Sequence, residues 1–173
     1  MIGRRGVFSS KRSSFNLSFL TYLQNITKTG TTYQVDNVNN WGRAISDETF
    51  AGDFEIIWDI LDPFVQGYGE TVGLTDNTVL DNNTVLSLFR SGNVAMQCFI
   101  NTNTTVGFFA YVFGDKIKIK RVGTAIIVEV YNAGAWTVQH TFAAVYNQTF
   151  RFKYRDYGDG IKQPILYNPR YNL

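Results

Sequence analysis

The sequence predicts an all-β domain, and three observations carry that expectation. Between Phe113 and Tyr154 apolar and polar residues alternate through four short segments, so Ile117 and Ile119 point one way while Lys116, Lys118 and Lys120 point the other. Phe150, Phe152 and Tyr154 set against Arg151, Lys153 and Arg155 repeat the pattern. Composition agrees: 45% hydrophobic, 16% aromatic and 17% charged residues, with many Thr, Asn and Gly, suit pleated strands and turns better than helices. Turn residues also recur at the spacing of a sandwich or barrel, giving about ten to thirteen strands with no helix of consequence and no internal repeat. A chain of 173 residues fits one such domain, with residues 1–14 as a basic N-terminal arm and 15–173 as the β-sandwich.

The elements follow in order. The arm is Ser-rich, and Arg4, Arg5, Lys11 and Arg12 come before the first acidic residue, Asp36. The formal net charge of +2 therefore averages a basic arm with a slightly acidic body. The arm is expected to be held by the body of the fold or by a neighbouring subunit. Next, Phe15, Leu17, Phe19, Thr21 and Leu23 share one face of a strand. TTYQV reads as a short strand and DNVNNWG as a loop. In DFEIIWDILD, Phe54, Ile56, Trp58 and Ile60 face inward and Glu55 and Asp59 outward; Asp62-Pro63 ends the strand because proline has no ladder donor.

ETVGLT is a further strand, and VLSLFR pairs with NVAMQCFI across Ser91-Gly92. Cys98 shares a face with Val94, Met96 and Ile100, reads as a buried small hydrophobe, and as the sole cysteine excludes an intrachain disulfide. TVGFFAYVF leads through Gly114-Asp115 into the four-segment meander, whose turns fall at Gly123 and at Asn132-Ala133-Gly134. A last strand near IKQPILY follows the turn at Gly158 to Gly160. Trp58 and Trp136 are expected in the core.

No N-terminal run has the apolar centre of a secretory signal, and no segment approaches the ~20 apolar residues of a membrane helix. The chain is expected to be made in a cytoplasm and to leave it within a particle or by lysis, with no membrane partner.

With these segments in place, DETFAGDFEIIWDI followed by ETVGLT, a hairpin at SGN and FGDKIKIKRVGTAIIVEVYNAG resembles the concanavalin A-like lectin/glucanase superfamily. The matching positions are Phe54, Ile56, Trp58, Asp59, Gly73, Leu74, Gly114, Asp115, Ile119, Arg121, Gly123, Tyr131, Asn132 and Gly134, over roughly residues 48 to 142. The resemblance implies a jelly roll of two antiparallel sheets. It implies no single task, because the superfamily includes lectins, glycoside hydrolases, protein-binding modules and domains of bacteriophage fibres and particles.

Hydrolases of this superfamily resemble E-x-D-x-x-E on one strand, whereas here Glu55, Asp59 and Asp62 stand with Ile57 at the central acid position and the last Glu missing. No catalytic residue is assigned and the chain is read as a non-enzyme. His140 alternates with Trp136, Val138 and Phe142 and reads as packed. DNVNN at 36–40, DN at 76–77 and DNN at 81–83 carry oxygen ligands of the kind Ca²⁺ uses, but without EF-hand spacing, so calcium is the one cofactor considered and none is assigned.

For glycan binding, Trp41 beside Asn39 and Asn40 is the leading candidate and Tyr68 in QGYGE the second, since a pyranose offers an apolar face and a polar rim. The two cationic rows at 116–120 and 151–155 could form a basic stripe, but no nucleic-acid motif accompanies them; nucleic acid is set aside as a partner, and the rows read as solvated or subunit-facing surface. Two functions remain. One is a jelly-roll structural component of a bacteriophage (viral) particle, a capsid, head-fibre or tail accessory protein. It would be anchored by Arg4, Arg5, Lys11 and Arg12 to other virion proteins or to copies of itself, and would also contact host surface glycan. The alternative is a free carbohydrate-binding, lectin-like module.

Overall fold

The structure, a computed structural model, describes residues 14–19, 21–36, 40–61, 71–81, 83–91, 95–101, 104–158 and 165–173. Among them the chain forms strands and no helix, and the strands pair into two antiparallel sheets. The eight-stranded sheet holds β1 (Phe15–Asn16), β3 (Ile26–Thr29), β4 (Thr32–Val35), β6 (Phe54–Asp59), β11 (Lys116–Val122), β12 (Ala125–Asn132), β13 (Ala135–Phe142) and β15 (Ile165–Asn172). Its order is β13-β12-β11-β6-β15-β4-β3, with β1 alongside the second half of β15. The seven-stranded sheet holds β2 (Tyr22–Gln24), β5 (Asn40–Ile45), β7 (Thr71–Thr75), β8 (Leu86–Ser91), β9 (Ala95–Ile100), β10 (Thr104–Ala110) and β14 (Arg151–Gly158), ordered β10-β9-β8-β7-β14-β5-β2.

Strand alternation sends one set of side chains from each sheet into a shared interior. Phe54, Ile56 and Trp58 of β6 and Ile117 and Ile119 of β11 meet Val72 and Leu74 of β7, Leu86 and Leu88 of β8 and Phe152 and Tyr154 of β14, all fully buried. The Trp58 and Phe152 rings join the sheets at 5.6 Å, and Phe19 lies 6.1 Å from Phe152. Each such burial is worth about 1.5–3 kcal/mol. Cys98 belongs to this core, and burial pushes its thiol up to about 12, as befits an inert apolar filler.

The positions behind the superfamily resemblance turn out to hold backbone in place. Asp115 is buried, accepting from the Val112 amide at 2.8 Å and from Asn132 Nδ2 at 2.9 Å, which ties the entry of β11 to the end of β12. Ala133 and Gly134 follow at φ 49° and 88°, the left-handed pair of a two-residue type I′ hairpin. Arg121 closes one end of the sandwich: Nε donates to Gly52 O, Nη1 donates to Gln148 O at 2.7 Å, and the guanidinium lies over the rings of Phe54 and Phe150.

Four sequence expectations are corrected. The strand expected from Phe15 to Leu23 is two: β1 joins the eight-stranded sheet, β2 the seven-stranded one, and Phe15 is exposed while Leu17 and Phe19 are buried between them. Asn40, Trp41 and Gly42 are not loop but the start of β5, paired with β14. The meander has three strands rather than four, since β11, β12 and β13 are neighbours but β14 crosses to the other sheet.

Trp136 is not core. Opposite Val128 and Glu129, strand β13 carries an extra residue, so Val138 pairs with outward Glu129 and His140 with inward Val128. Trp136 and Val138 therefore lie outside, and His140 and Phe142 inside. Strand β10 has a similar bulge between Thr105 and Gly107. There the two sheets come together at the sandwich edge, and a Cβ on Gly107 would lie 2.7 Å from His140 Nδ1.

Candidate functional site

The two cationic rows lie in opposite sheets, so the basic stripe does not exist, and neither row is simply solvated. On the outer face of the eight-stranded sheet, Lys118 is buried under the Trp136 ring, 4.1 Å from its centroid. Its Nζ sits 2.6 Å from Glu129 Oε2 and 3.6 Å from Glu55 Oε1, and Lys120 also pairs with Glu129. Burial alone would raise the Glu129 carboxyl, but the hydrogen bonds and charges of the two lysines outweigh it and hold it below the usual range.

Of the acids weighed for hydrolysis, Glu55 and Asp59 are engaged on the same face, and Asp62 lies outside the described residues. Asn172 donates to Glu55 at 3.0 Å, while Arg170 and Asn168 both donate to Asp59 at 2.9 Å. A cleft of about 310 Å³ at the end of this face is lined by Asp53, Phe54, Glu55, Lys120, Arg121 and Val122. Its charged groups are engaged too, with Asp53 accepting from the Gly123 amide at 2.7 Å.

The outer face of the seven-stranded sheet is built differently. Trp41, Arg43 and Ile45 of β5 stand on it, because Ala44 points into the core and a Cβ on Gly42 would strike Val35. Opposite them, β14 contributes Lys153 facing Ile45 and Arg155 facing Arg43. Beyond β14, Thr71 and Gly73 of β7 face Arg155 and Lys153, and Phe89 of β8 follows, edge-on to Phe99 of β9 at 5.9 Å.

At the centre the Arg155 guanidinium lies 5.4 Å from the centroid of the half-buried Trp41 ring. Burial, then the neighbouring Arg43 charge, pushes the Arg155 guanidinium below the usual arginine range. Two polar atoms here are buried without a hydrogen-bond partner, Arg155 Nε itself and Oγ1 of the facing Thr71. Buried polar atoms are normally paired, so this pair of orphans needs an explanation.

Of the sequence-predicted site residues, Trp41 falls on this face at its rim; Asn40, its neighbour in β5, has the opposite parity and is exposed, and its Oδ1 accepts from the Trp41 amide at 2.8 Å. Asn39, Tyr68, Arg4, Arg5, Lys11 and Arg12 lie outside the described residues. Arg155 and Thr71 were missed as site residues; the only signal was the place of Arg155 in an alternating cationic row. His140 is packed as expected, edge-on to Phe142 at 4.8 Å, and burial lowers its pKa. Of the oxygen-rich runs, 37–39 lie outside the described residues, Asn77 accepts from the Val79 amide at 3.0 Å, and Asp81 binds Lys153. Among the described residues no group of three His, Cys, Asp or Glu could hold a metal ion.

No family model matches the sequence, and no curated protein does. Solved structures do. The VIP36 exoplasmic/lumenal domain in its Ca²⁺/Man3GlcNAc-bound form superposes with a TM-score of 0.67 at 10% identity, covering 87% of this chain and 81% of that one. The chain has the lectin-like jelly-roll fold. The same jelly roll is seen in the Emp46p carbohydrate recognition domain, with a TM-score of 0.64 at 10% identity and 88% of each chain covered. A legume lectin-like domain from Entamoeba histolytica gives 0.65 at 11% identity, with 91% of this chain and 89% of that one covered. Identities this low establish a common architecture and leave function to the site.

Proposed function

We propose that this jelly roll is a non-enzymatic glycan-binding module that takes its ligand on the outer face of the seven-stranded sheet, around Trp41, Arg155 and Thr71. The observation that carries the reading is the pair of buried, unpartnered groups, Thr71 Oγ1 and Arg155 Nε, set beside a half-buried indole. A pyranose ring suits that arrangement: its apolar face stacks on the indole, and its hydroxyls reach Arg155 Nε and Thr71 Oγ1 through a local shift of the side chains that cover them. Support also comes from the neighbours, of which VIP36 is seen with Man3GlcNAc and with mannose and Emp46p is a carbohydrate recognition domain. The commitment of Glu55 and Asp59 to Asn172, Arg170 and Asn168 supports a non-catalytic role.

The particle-component expectation finds no support among these neighbours, and the glycan reading does not need it. A glycan array probed with the intact chain and with Trp41→Ala tests the proposal. Binding to a defined set of glycans that the variant loses is the expected result; an intact chain that binds no glycan at all would overturn it.

A further inference from the structure

The same face contains a cation that the protein supplies itself. Lys153 stands in mid-sheet with its side chain 1% exposed, and its ammonium is surrounded by oxygen from the connection between β7 and β8. Nζ donates to Val79 O at 3.2 Å, Asp81 Oδ1 at 2.8 Å and Asn83 O at 2.8 Å. Three acceptors match the three protons of an ammonium and favour the charged form; burial lowers the Lys153 pKa from its usual value, and the hydrogen bond and charge of Asp81 oppose that effect. Asp81 is itself fixed, Oδ1 accepting from the Asn83 amide at 2.9 Å and Oδ2 from Asn83 Nδ2 at 2.6 Å. The hydrogen bonds and charge of Lys153 outweigh the effect of burial and hold the Asp81 carboxyl below its ordinary range.

A carboxylate flanked by two main-chain carbonyls on one short loop is an oxygen set of the kind Ca²⁺ takes, and VIP36 exists in Ca²⁺-bound and metal-free forms. Here those three oxygens do not fit a divalent ion. Ca²⁺ needs about six to eight oxygens at roughly 2.3–2.6 Å, and an ammonium already stands among the three present. A second cation beside it would be repelled by that ammonium, with the single Asp81 carboxylate to offset both.

We propose that Lys153 is this domain's resident cation. It pins the β7–β8 connection over the seven-stranded sheet, in place of a metal ion, and so makes the face beneath it insensitive to calcium. The extension to ligand binding rests on the glycan reading above; the structural part does not.

Thermal melting and amide exchange on the full chain test the structural part. Added millimolar Ca²⁺ or a chelator is expected to move the melting temperature by less than about 1 °C, whereas a bound ion in large excess over its dissociation constant moves it by roughly 3 °C or more. In Lys153→Met, exchange across the β7–β8 connection is expected to quicken about tenfold or more while β11 and β12 keep their protection. If that variant does not fold, Asp81→Asn keeps the shape, removes the charge and is expected to quicken the same segment by a smaller factor. Stabilisation of the native chain by Ca²⁺, or unchanged exchange in the folded variant, would overturn the proposal. Glycan binding that requires Ca²⁺ would defeat this inference and leave the glycan reading standing. Binding to no glycan would defeat that reading, while melting and exchange still decide the role of Lys153.

Discussion

On the eight-stranded sheet, Lys118 is buried between Glu129 and Glu55, Lys120 shares Glu129, and Arg170 and Asn168 share Asp59, so cations and acids on neighbouring strands answer one another. On the seven-stranded sheet, Lys153 is buried as deeply, but its carboxylate comes from a loop, and Arg155 lies across from Arg43 with Nε unpaired beside an indole. Both faces began as the same alternating row of lysine and arginine. The first uses its charges to hold strands together, while on the second two polar atoms are buried with no partner inside the chain. Charge pattern alone therefore does not say how a cationic row is used; the location of the counter-charges does.

The largest effect should come from breaking the first face. Glu129→Ala leaves Lys118 with only Glu55 at 3.6 Å, and removing one partner of a buried pair costs about 3 kcal/mol, measurable by urea unfolding, with glycan binding unchanged. Glu129 is held below its ordinary range, so its stabilisation is complete above the unfolded carboxylate pKa and is lost as pH falls through the lowered value. A native chain that loses more stability than Glu129→Gln on acidification would show this. Next, Trp41→Ala should weaken glycan binding by about tenfold or more, while unfolding shifts by only about 1 kcal/mol, because the ring is half-buried at the end of β5.

Thr71→Val separates the faces more finely. The buried hydroxyl has no partner, so an isosteric apolar replacement should be neutral or stabilising by about 0.5 kcal/mol, yet reduce binding several-fold. A clear loss of stability would mean that the hydroxyl serves the fold. The smallest effect belongs to His140, which lies on neither face. Burial lowers its pKa, so folding resists its protonation, and the native chain should lose stability as pH falls from above about 6.5 to below the lowered value. His140→Leu should flatten that part of the profile, and an unchanged slope would reassign it to another group.

The sandwich was legible wherever alternation met a turn: Ile117 and Ile119 against the lysines, Phe54, Ile56 and Trp58 in β6, and the left-handed Ala133-Gly134 turn were all readable in the chain. Alternation gives a strand its two faces without saying which sheet it joins, and so β14 was placed in the meander. Trp136 was assigned to the core because positions 136, 138, 140 and 142 have the same parity, and a bulge that reverses parity between 138 and 140 leaves no mark in composition. The site was legible only in part. Trp41 could be singled out as an aromatic among asparagines, but the meetings of Arg155 with Thr71 and of Lys153 with Asp81 join residues some seventy or more positions apart, which no local pattern reports.

The extra residues in β10 and β13 have a consequence for how copies of the molecule treat one another. Each lies on a strand that ends its sheet among the described residues, one at Val106 and the other at Gln139. An open strand end is a template on which a second chain can continue the hydrogen-bond ladder, and an uneven ladder makes a poor template. Exposed Val106, Phe108 and Val138 would favour such growth, and the irregular backbone beside them works against it. The bulge that sets His140 inside and Trp136 outside, with its counterpart in β10, thus makes each of these sheet edges a poor template for a second copy of the chain.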